Sequence, residues 1–231
     1  MLQMKTCSIT DGALIARLKL LPLFSGLEGG ELASVLAGAH ASLRIADAGE
    51  MVVSECDRAE RLIVVVSGEA SVRMVGLTED RRHLVQRLTR GGVFGITLIG
   101  VERESYSAML TAQTPCELLM LSLAAIRLWI KTALHHRFLG NLLRMASSDG
   151  YAAWHQLKLL SCYEISDRIL LYLRWRKEEG AEFPLPFHAA ELAETLGVNR
   201  TALYRALAKL RKSGLIALSE SSISLSQMRQ Q

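Results

Sequence analysis

The spacing of apolar residues changes from strand-like to helical after residue 121, and this change most restricts the folds open to the chain. Between about residues 41 and 121, short β-branched or alternating runs are separated by glycine. Several short strands at such spacing are typical of a β-barrel or β-roll. The predicted strands are 51–53, 62–66, 70–75, 83–88, 106–112 and 116–121. After Ser122, which suits a helix N-cap, the pattern is helical for nearly sixty residues. The predicted fold class is therefore α+β.

A helical segment precedes the predicted roll. Residues 9–20 show helical spacing, and the sequence LPLFSGL at residues 21–27 ends that pattern. A second short helix is predicted near residues 31–37. Together they are predicted to form a helical lid on the roll.

The helical region after the roll predicts a long helix that pairs with a second copy. Its apolar positions fall near heptad spacing, at Leu134, Phe138, Leu142, Met145, Ala146, Ala153, Leu157 and Leu160. A small roll cannot cover so long a stripe, whereas two such helices can cover each other. Packing within its own domain is the alternative. Asp149 and Gly150 interrupt the stripe, so a weak or kinked seam is expected there.

The C-terminal region has the pattern of a helix, a tight turn, a second helix and a hairpin. A further helix at about residues 164–179 ends at Gly180, and the sequence FPLP at 183–186 predicts a linker. Residues 191–196 then predict a short helix, and Gly197 suits the turn that follows it. The second helix is predicted at 200–213, with Asn199 as its N-cap. Residues 214–218 and 222–225 predict a β wing.

The charge of this last region points to a polyanion. The chain has a formal net charge of +4, and residues 188–231 hold six basic side chains against three acidic ones. The second helix contains no acidic residue, and its leucines share one face. A helix of this kind fits the major groove of DNA, where an arginine can bond both O6 and N7 of guanine. The predicted DNA-binding residues are Asn199, Arg200, Thr201, Tyr204, Arg205 and Lys209.

The order of these segments resembles the Crp/Fnr family of bacterial transcription regulators from about residue 20 to 225. The likeness rests on the LPLFSGL segment, the roll glycines Gly49, Gly68, Gly92 and Gly95, the long helix, and the sequence LGVNRTALYR at 196–205. The resemblance implies a cyclic-nucleotide-binding-type β-roll, a dimerising helix and a winged helix-turn-helix. It also implies a homodimer on a palindromic site in double-stranded DNA, with RNA polymerase as a further candidate partner.

The sequence departs from the members that bind cyclic AMP. Those members carry a glutamate for the ribose and an arginine for the cyclic phosphate, and here Ile96 and Tyr106 occupy these positions. A buried phosphate without its cation would lose a strong charge-assisted bond, so cyclic AMP is not expected to bind. An apolar or aromatic effector between roll and helix is another interpretation. The candidate effector-pocket residues are Gly95, Ile96, Thr97, Tyr106, Ser107 and Trp154.

No cofactor or metal site is predicted. The cysteines at 7, 56, 116 and 162 are too far apart in sequence for an iron–sulfur or zinc motif, and we expect buried, reduced thiols. Haem is an alternative that four histidines keep open, namely His83, His135, His136 and His155.

A second departure from the family lies in the DNA module. Many members have a glutamate where Thr201 stands, so the expected operator sequence differs at the corresponding base pair. Many also have polar residues where Ala189 and Ala190 stand, so weaker contacts with the DNA backbone are expected.

These observations predict a sequence-specific DNA-binding regulator that acts as a homodimer and responds to a signal other than a cyclic nucleotide. The predicted domains are residues 1–121 for the roll, 122–162 for the dimerising helices and 163–231 for the DNA module. A ligand- or partner-binding dimer whose DNA module lacks sequence specificity is the alternative. An enzyme is not expected, because the sequence has no phosphate-binding glycine loop, nucleophile elbow or metal-binding His-Glu helix. The apolar runs are too short to cross a bilayer, so a cytoplasmic protein is expected.

Overall fold

The computed structural model describes residues 12–75, 82–101, 103–178, 180 and 185–226. The chain divides into two compact units, Met1–Ser148 and Asp149–Gln231. Cys7 and the first half of the FPLP sequence lie outside the described residues, as does the side chain of His83. In the part of the chain that is described, no helix combines the length and apolarity that a membrane crossing needs.

Two antiparallel four-stranded sheets form the roll of the first unit. The strands are β1 Ser42–Ala46, β2 Met51–Val53, β3 Arg61–Ser67, β4 Ala70–Val75, β5 Arg82–Leu88, β6 Val93–Phe94, β7 Met109–Ala112 and β8 Cys116–Ser122. One sheet has the order β1-β8-β3-β6 and the other the order β2-β7-β4-β5. Both β1 and β6 lie outside the predicted runs. The predicted strand at 106–112 begins only at Met109; before it, the backbone N–H of Tyr106 bonds to the carbonyl oxygen of Asp57, in the loop between β2 and β3.

Two helices precede the strands of the roll in the chain and two follow them. These are α1 Gly12–Lys19, α2 Gly29–Gly38, α3 Leu123–Thr132 and α4 His136–Ser161, with a 3₁₀ turn at Pro22–Phe24. Ser122 caps α3 as predicted, because its hydroxyl accepts a hydrogen bond from the backbone N–H of Ala125. Asn141 of α4 is buried and donates to the carbonyl oxygens of Leu23 and Ser25 at 2.9 and 2.8 Å. This side chain fastens the N-terminal turn to α4.

The helical run after Ser122 is broken where the sequence shows neither glycine nor proline. Ala133 and His135 both have a φ of 53°, a left-handed conformation that is uncommon for residues other than glycine. The carbonyl of Trp129 accepts from the backbone N–H groups of Ala133 and Leu134, and the Trp129 ring meets His135 edge-on at 4.5 Å. By contrast, Asp149 and Gly150 do not end α4, which runs for 26 residues.

The second unit is built around a three-stranded sheet and three helices. Beyond α4 it contains α5 Ile165–Glu178, β9 Leu185–Pro186, α6 Ala189–Thr195, α7 Arg200–Lys212, β10 Ile216–Leu218 and β11 Ser222–Leu225. The sheet has the order β10-β11-β9, so the hairpin of the predicted wing is present and gains a third strand. Pro186 lies on the edge strand β9, where a residue without a backbone N–H does not remove a hydrogen bond between strands. The predicted α+β class, with an N-terminal roll and a C-terminal helix-turn-helix, is confirmed.

Candidate nucleic-acid interface and effector pocket

The turn between α6 and α7 sets the start of the basic helix. Gly197 has a φ of +65°, which suits glycine, and a Cβ at this position would lie 3.1 Å from Cδ2 of Leu160. Two residues later the Asn199 side-chain oxygen accepts from the backbone N–H of Ala202 at 2.8 Å. The cap satisfies one of the free N–H groups of the first turn of α7.

The two faces of α7 differ sharply in burial. Leu203, Leu207 and Leu210 are buried in the core of the second unit. All six predicted DNA-binding residues are exposed, namely Asn199, Arg200, Thr201, Tyr204, Arg205 and Lys209. Because the leucines fix the rotation of the helix, these six side chains share its outer side.

The outer side of α7 carries several positive charges. Arg200, Arg205, Lys209, Arg211 and Lys212 are all exposed. Within the described ranges, no ion pair joins any of them to an acidic side chain. The helix can therefore attract phosphates and still present arginines to base edges.

Two polar side chains that sequence reasoning missed support the turn. Arg168 of α5 donates to the carbonyl oxygens of Cys162 and Leu196, at 2.9 and 3.1 Å. Gln156 donates to the carbonyl oxygen of Thr195 at 2.6 Å. These three bonds satisfy carbonyl groups at helix ends that have no partner within their own helix. In sequence, an arginine or glutamine on an amphipathic helix looks like a solvated residue, and no local signal marks these two.

In the roll, the two positions that depart from the cyclic AMP pattern are packed into the core. Ile96 is buried in a 3₁₀ turn at Ile96–Leu98, directly after Gly95, whose φ is +87°. The Tyr106 ring stacks on Phe94 at 5.3 Å. Its hydroxyl donates to the carbonyl oxygen of Arg61 at 2.7 Å and accepts from the Arg61 N–H at 3.1 Å. Burial raises the pKa of the Tyr106 phenol above its ordinary value.

The structure does not bring all six predicted effector-pocket residues together at one site. Gly95 lies beside the Tyr106 ring, and Ile96 follows it in the chain. Thr97 and Ser107 are exposed. Trp154 is 67% exposed and belongs to the second unit.

An apolar cleft of about 730 Å³ lies between the turn at residues 96–100 and the helices α3 and α4. Ile96 and Thr97 line it, and Tyr106, Ser107 and Trp154 are not among its lining residues. Arg127 of α3 donates to the carbonyl oxygens of Leu98 and Val101, at 2.7 and 3.2 Å, and so ties the turn to the helix. The volume is within the range of about 300–1,000 Å³ that small-molecule sites occupy.

The histidines considered for haem have aromatic neighbours or lie at the surface. The His155 ring stacks on Trp175 at 5.0 Å with an interplanar angle of 8°, and His135 meets Trp129. His136 is exposed at the rim of the apolar cleft. Over the described residues, no group of three or more His, Cys, Asp or Glu side chains is arranged to hold a metal ion.

Comparisons with known proteins agree with this arrangement. Residues 43–132 match the cyclic nucleotide-binding domain family, and residues 168–230 match the Crp-like helix-turn-helix domain family. A search of curated proteins found no match.

Solved structures share the fold at low sequence identity. The c-di-GMP responsive global regulator CLP of Xanthomonas campestris is 22% identical, with a TM-score of 0.62 over 87% of this chain and 100% of that one. FixK2 of Bradyrhizobium japonicum is 20% identical, with a TM-score of 0.56 over 80% and 92% of the two chains. CprK complexed with OCPA is 16% identical, with a TM-score of 0.65 over 84% and 88%. Residues 43–132 therefore belong to the cyclic nucleotide-binding domain family and residues 168–230 to the Crp-like helix-turn-helix domain family, and the chain shares the fold of these solved structures.

Proposed function

We propose that this protein is a sequence-specific DNA-binding regulator that acts as a homodimer and responds to a signal other than a cyclic nucleotide. The observation that carries the proposal is the exposed positive side of α7, whose charges form no ion pair with the described part of the chain. Asn199 caps this helix and three leucines hold it in place. A regulator needs a basic surface that still offers hydrogen-bonding side chains to base edges.

Residues along α7 divide between base reading and phosphate binding. Arg200 and Arg205 are the candidates for bidentate bonds to guanine, and Thr201 suits contact with a thymine methyl or a phosphate. Lys209 lies further along the helix and suits phosphates, which fix position without reading sequence. Asn199 and Tyr204 complete the proposed contact surface.

The outward face of α4 supports a homodimer. Leu143, Trp154 and Leu157 are each more than half exposed, although all three are large and apolar. A second copy of the helix would cover them. Both DNA modules must reach one duplex, so the two helices would run parallel, with recognition helices about 34 Å apart to enter successive major grooves.

The core positions of Ile96 and Tyr106 support a signal other than cyclic AMP. The proposed signal would bias the α4 pair between two arrangements, of which one spaces the recognition helices for DNA. Saturating 3′,5′-cyclic AMP is expected to leave the urea midpoint of unfolding unchanged. A rise in the midpoint would contradict this part of the proposal.

A second candidate is a ligand- or partner-binding dimer without sequence specificity. It is favoured by Ala190, which is exposed near the start of α6 and offers no polar side chain to a DNA backbone. Such a protein would bind all DNA with similar affinity and with a steep dependence on salt.

The deciding experiment is selection of preferred DNA from a random library by the purified full chain at physiological salt, with and without cell extract. We expect a palindromic consensus. Replacing Arg205 or Arg200 by alanine should then remove about 1–3 kcal/mol of discrimination at one base pair in each half-site. The matched control, Lys209→Ala, should weaken binding to every sequence equally and reduce the salt dependence. Equal losses on consensus and random DNA for both arginine variants would favour the second candidate.

A further inference from the structure

The apolar cleft of the first unit has walls that suit an aliphatic chain. Of its lining residues, only Thr97 and His136 carry polar side-chain atoms, and the others are aliphatic residues and one glycine. Among the residues that the structure describes, no Asp, Glu, Lys or Arg side chain of the same subunit lines the cleft. The sugar and phosphate of a nucleotide would lose hydrogen bonds to water in such a site without replacing them.

The exposed face of α4 shows how a second copy would approach this cleft. The positions that would form the seam are all exposed and follow a heptad, at His136, Gly140, Leu143, Ser147, Gly150, Trp154, Leu157 and Ser161. One flank of this seam is apolar, at Leu139, Ala146, Ala153 and Leu160. The opposite flank is mainly basic, at Arg137, Arg144, Tyr151 and Lys158.

Heptad geometry brings the two flanks together across a parallel pair. In a parallel pair, the residue that directly precedes a seam residue on one helix faces the residue five positions later on the other helix, which directly follows the next seam residue. Leu139 would therefore face Arg144 of the partner subunit. Because Leu139 and Ala146 both line the cleft, that guanidinium would lie at the mouth of the cleft.

The two arginines of α4 differ in how their charge is used. Arg137 contacts the Glu31 carboxylate and the carbonyl oxygen of Gly26, both at 3.4 Å. Arg144 is exposed and donates to the uncharged side-chain oxygen of Asn141. In the part of the chain described, no carboxylate pairs with Arg144. Its charge is thus available to an anion.

We propose that the cleft binds an aliphatic carboxylate, with the chain among the residues of one subunit and the carboxylate on Arg144 of the partner subunit. This inference rests on the proposed homodimer and names the class of its signal. Such a ligand contacts both subunits, so it binds the dimer more tightly than the monomer. By linkage it stabilises the dimer to the same degree.

The first test is calorimetric titration of the full-length dimer with decanoate. Replacing Arg144 by glutamine should weaken decanoate binding at least about tenfold, because it removes a charge-assisted hydrogen bond. Arg137→Gln is the matched control and should leave the affinity unchanged. 1-Decanol has the same chain without the carboxylate, so Arg144→Gln should not alter its binding. Equal loss for both arginine variants would overturn the proposal.

The second test asks whether cleft and arginine come from different subunits. In a Thr97→Trp homodimer the new indole should fill both clefts from their exposed rims, and in an Arg144→Gln homodimer both guanidinium groups are missing. Each homodimer should therefore bind decanoate weakly. A heterodimer of the two variants contains one intact cleft facing one intact arginine. It should bind one decanoate with the affinity of the unmodified protein. Absence of binding by the heterodimer would exclude a site shared between subunits.

Sedimentation of the same samples separates this inference from the proposed function. A protein that stays monomeric at micromolar concentration would contradict the proposed homodimer itself. A stable dimer that does not bind decanoate would contradict only the ligand assignment.

Discussion

At the scale of single residues, Tyr106 shows how one substitution turns a ligand position into a core position. Its phenol makes two hydrogen bonds with the backbone of Arg61, and its ring stacks on Phe94. An arginine there would bring a charge into a region that is now apolar. The departure from the cyclic AMP pattern is therefore part of the packing of the roll.

Replacing Tyr106 by phenylalanine tests this packing role. The variant loses both hydrogen bonds and keeps the ring, so the free energy of unfolding should fall by about 1–2 kcal/mol. Urea titration followed by circular dichroism measures the change. Tyr163 is 94% exposed, and Tyr163→Phe should leave the midpoint unchanged. Identical midpoints for the two variants would contradict the assigned role.

The Glu117 carboxylate should contribute to stability in a pH-dependent way. It accepts hydrogen bonds from Arg17 and from the Ser67 hydroxyl, and these hold its pKa below the ordinary value, the Arg17 bond most strongly. Because the pKa is lowered in the folded state, the ionised carboxylate adds to the free energy of unfolding when the pH is above its ordinary pKa. This stabilisation is lost as the pH falls through the folded-state pKa.

Glu117→Gln should therefore destabilise the protein by at most about 1 kcal/mol at pH 7, because both partners are partly exposed. The difference from the unmodified protein should shrink as the pH falls below the ordinary carboxyl pKa of about 4.3, and it should vanish once the pH is below the lowered pKa of the folded state. Urea midpoints across this pH range measure it, with Glu104→Gln at an exposed position as the control. A difference that persists at low pH would show that the loss is not electrostatic.

The candidate DNA-binding residues could be predicted from sequence because their signals are local. An N-cap, a leucine face and the absence of acidic residues all lie within α7 and the turn before it. Arg168 could not be found in this way. Its two carbonyl partners, Cys162 and Leu196, belong to segments on either side of it in the chain, and only the fold brings them together.

At the scale of elements, a continuous apolar run was a better signal than length, since the three-residue β2 was predicted and the five-residue β1 was missed. The strand β3 shows no alternation since both its faces are covered, yet its continuous apolar run identified it. The strands β6 and β9 have two residues each, and only their pairing with β3 and β11 defines them. No periodicity can reveal such short elements.

The heptad-like stripe predicted on α4 combines two faces of the helix. Phe138 and Leu142 are buried in the core of the first unit, whereas Leu157 is exposed. Periods of 3.5 and 3.6 residues are hard to distinguish over a few turns. Packing in the fold decides which face stays open, and the open face contains Leu143 and Trp154 in addition to Leu157.

The turn before α7 can be tested with two glycines that share a left-handed backbone. Gly197→Ala and Gly214→Ala should each lose about 1 kcal/mol from the conformational preference alone. At Gly197 the new Cβ also meets Leu160, while nothing lies within 4 Å at Gly214. We expect the larger fall in the urea midpoint for Gly197→Ala. Equal falls would mean that Leu160 moves aside without loss of stability.

At the scale of the whole molecule, the proposed dimer depends on the open face of α4. Leu157→Glu would place two carboxylates across the seam, so sedimentation should detect monomers at micromolar concentration. Affinity for the selected palindrome should then fall at least about tenfold, since two linked modules bind more tightly than one. Leu128→Glu is the control, because Leu128 is exposed on α3 and lies outside the seam. A dimer that survives Leu157→Glu would exclude this seam.

The hydrogen bonds of Asn141 also impose an order on synthesis. The carbonyl group of Leu23 accepts from a side chain that enters the chain 118 residues later. At a translation rate of about 5–20 residues per second, the N-terminal turn waits roughly 6–24 s for its partner. During that interval Leu23 and Phe24, both fully buried in the finished protein, have no α4 to pack on. Chains stalled before residue 141 should therefore be cleaved near this turn by a brief protease pulse, and chains released at full length should resist it.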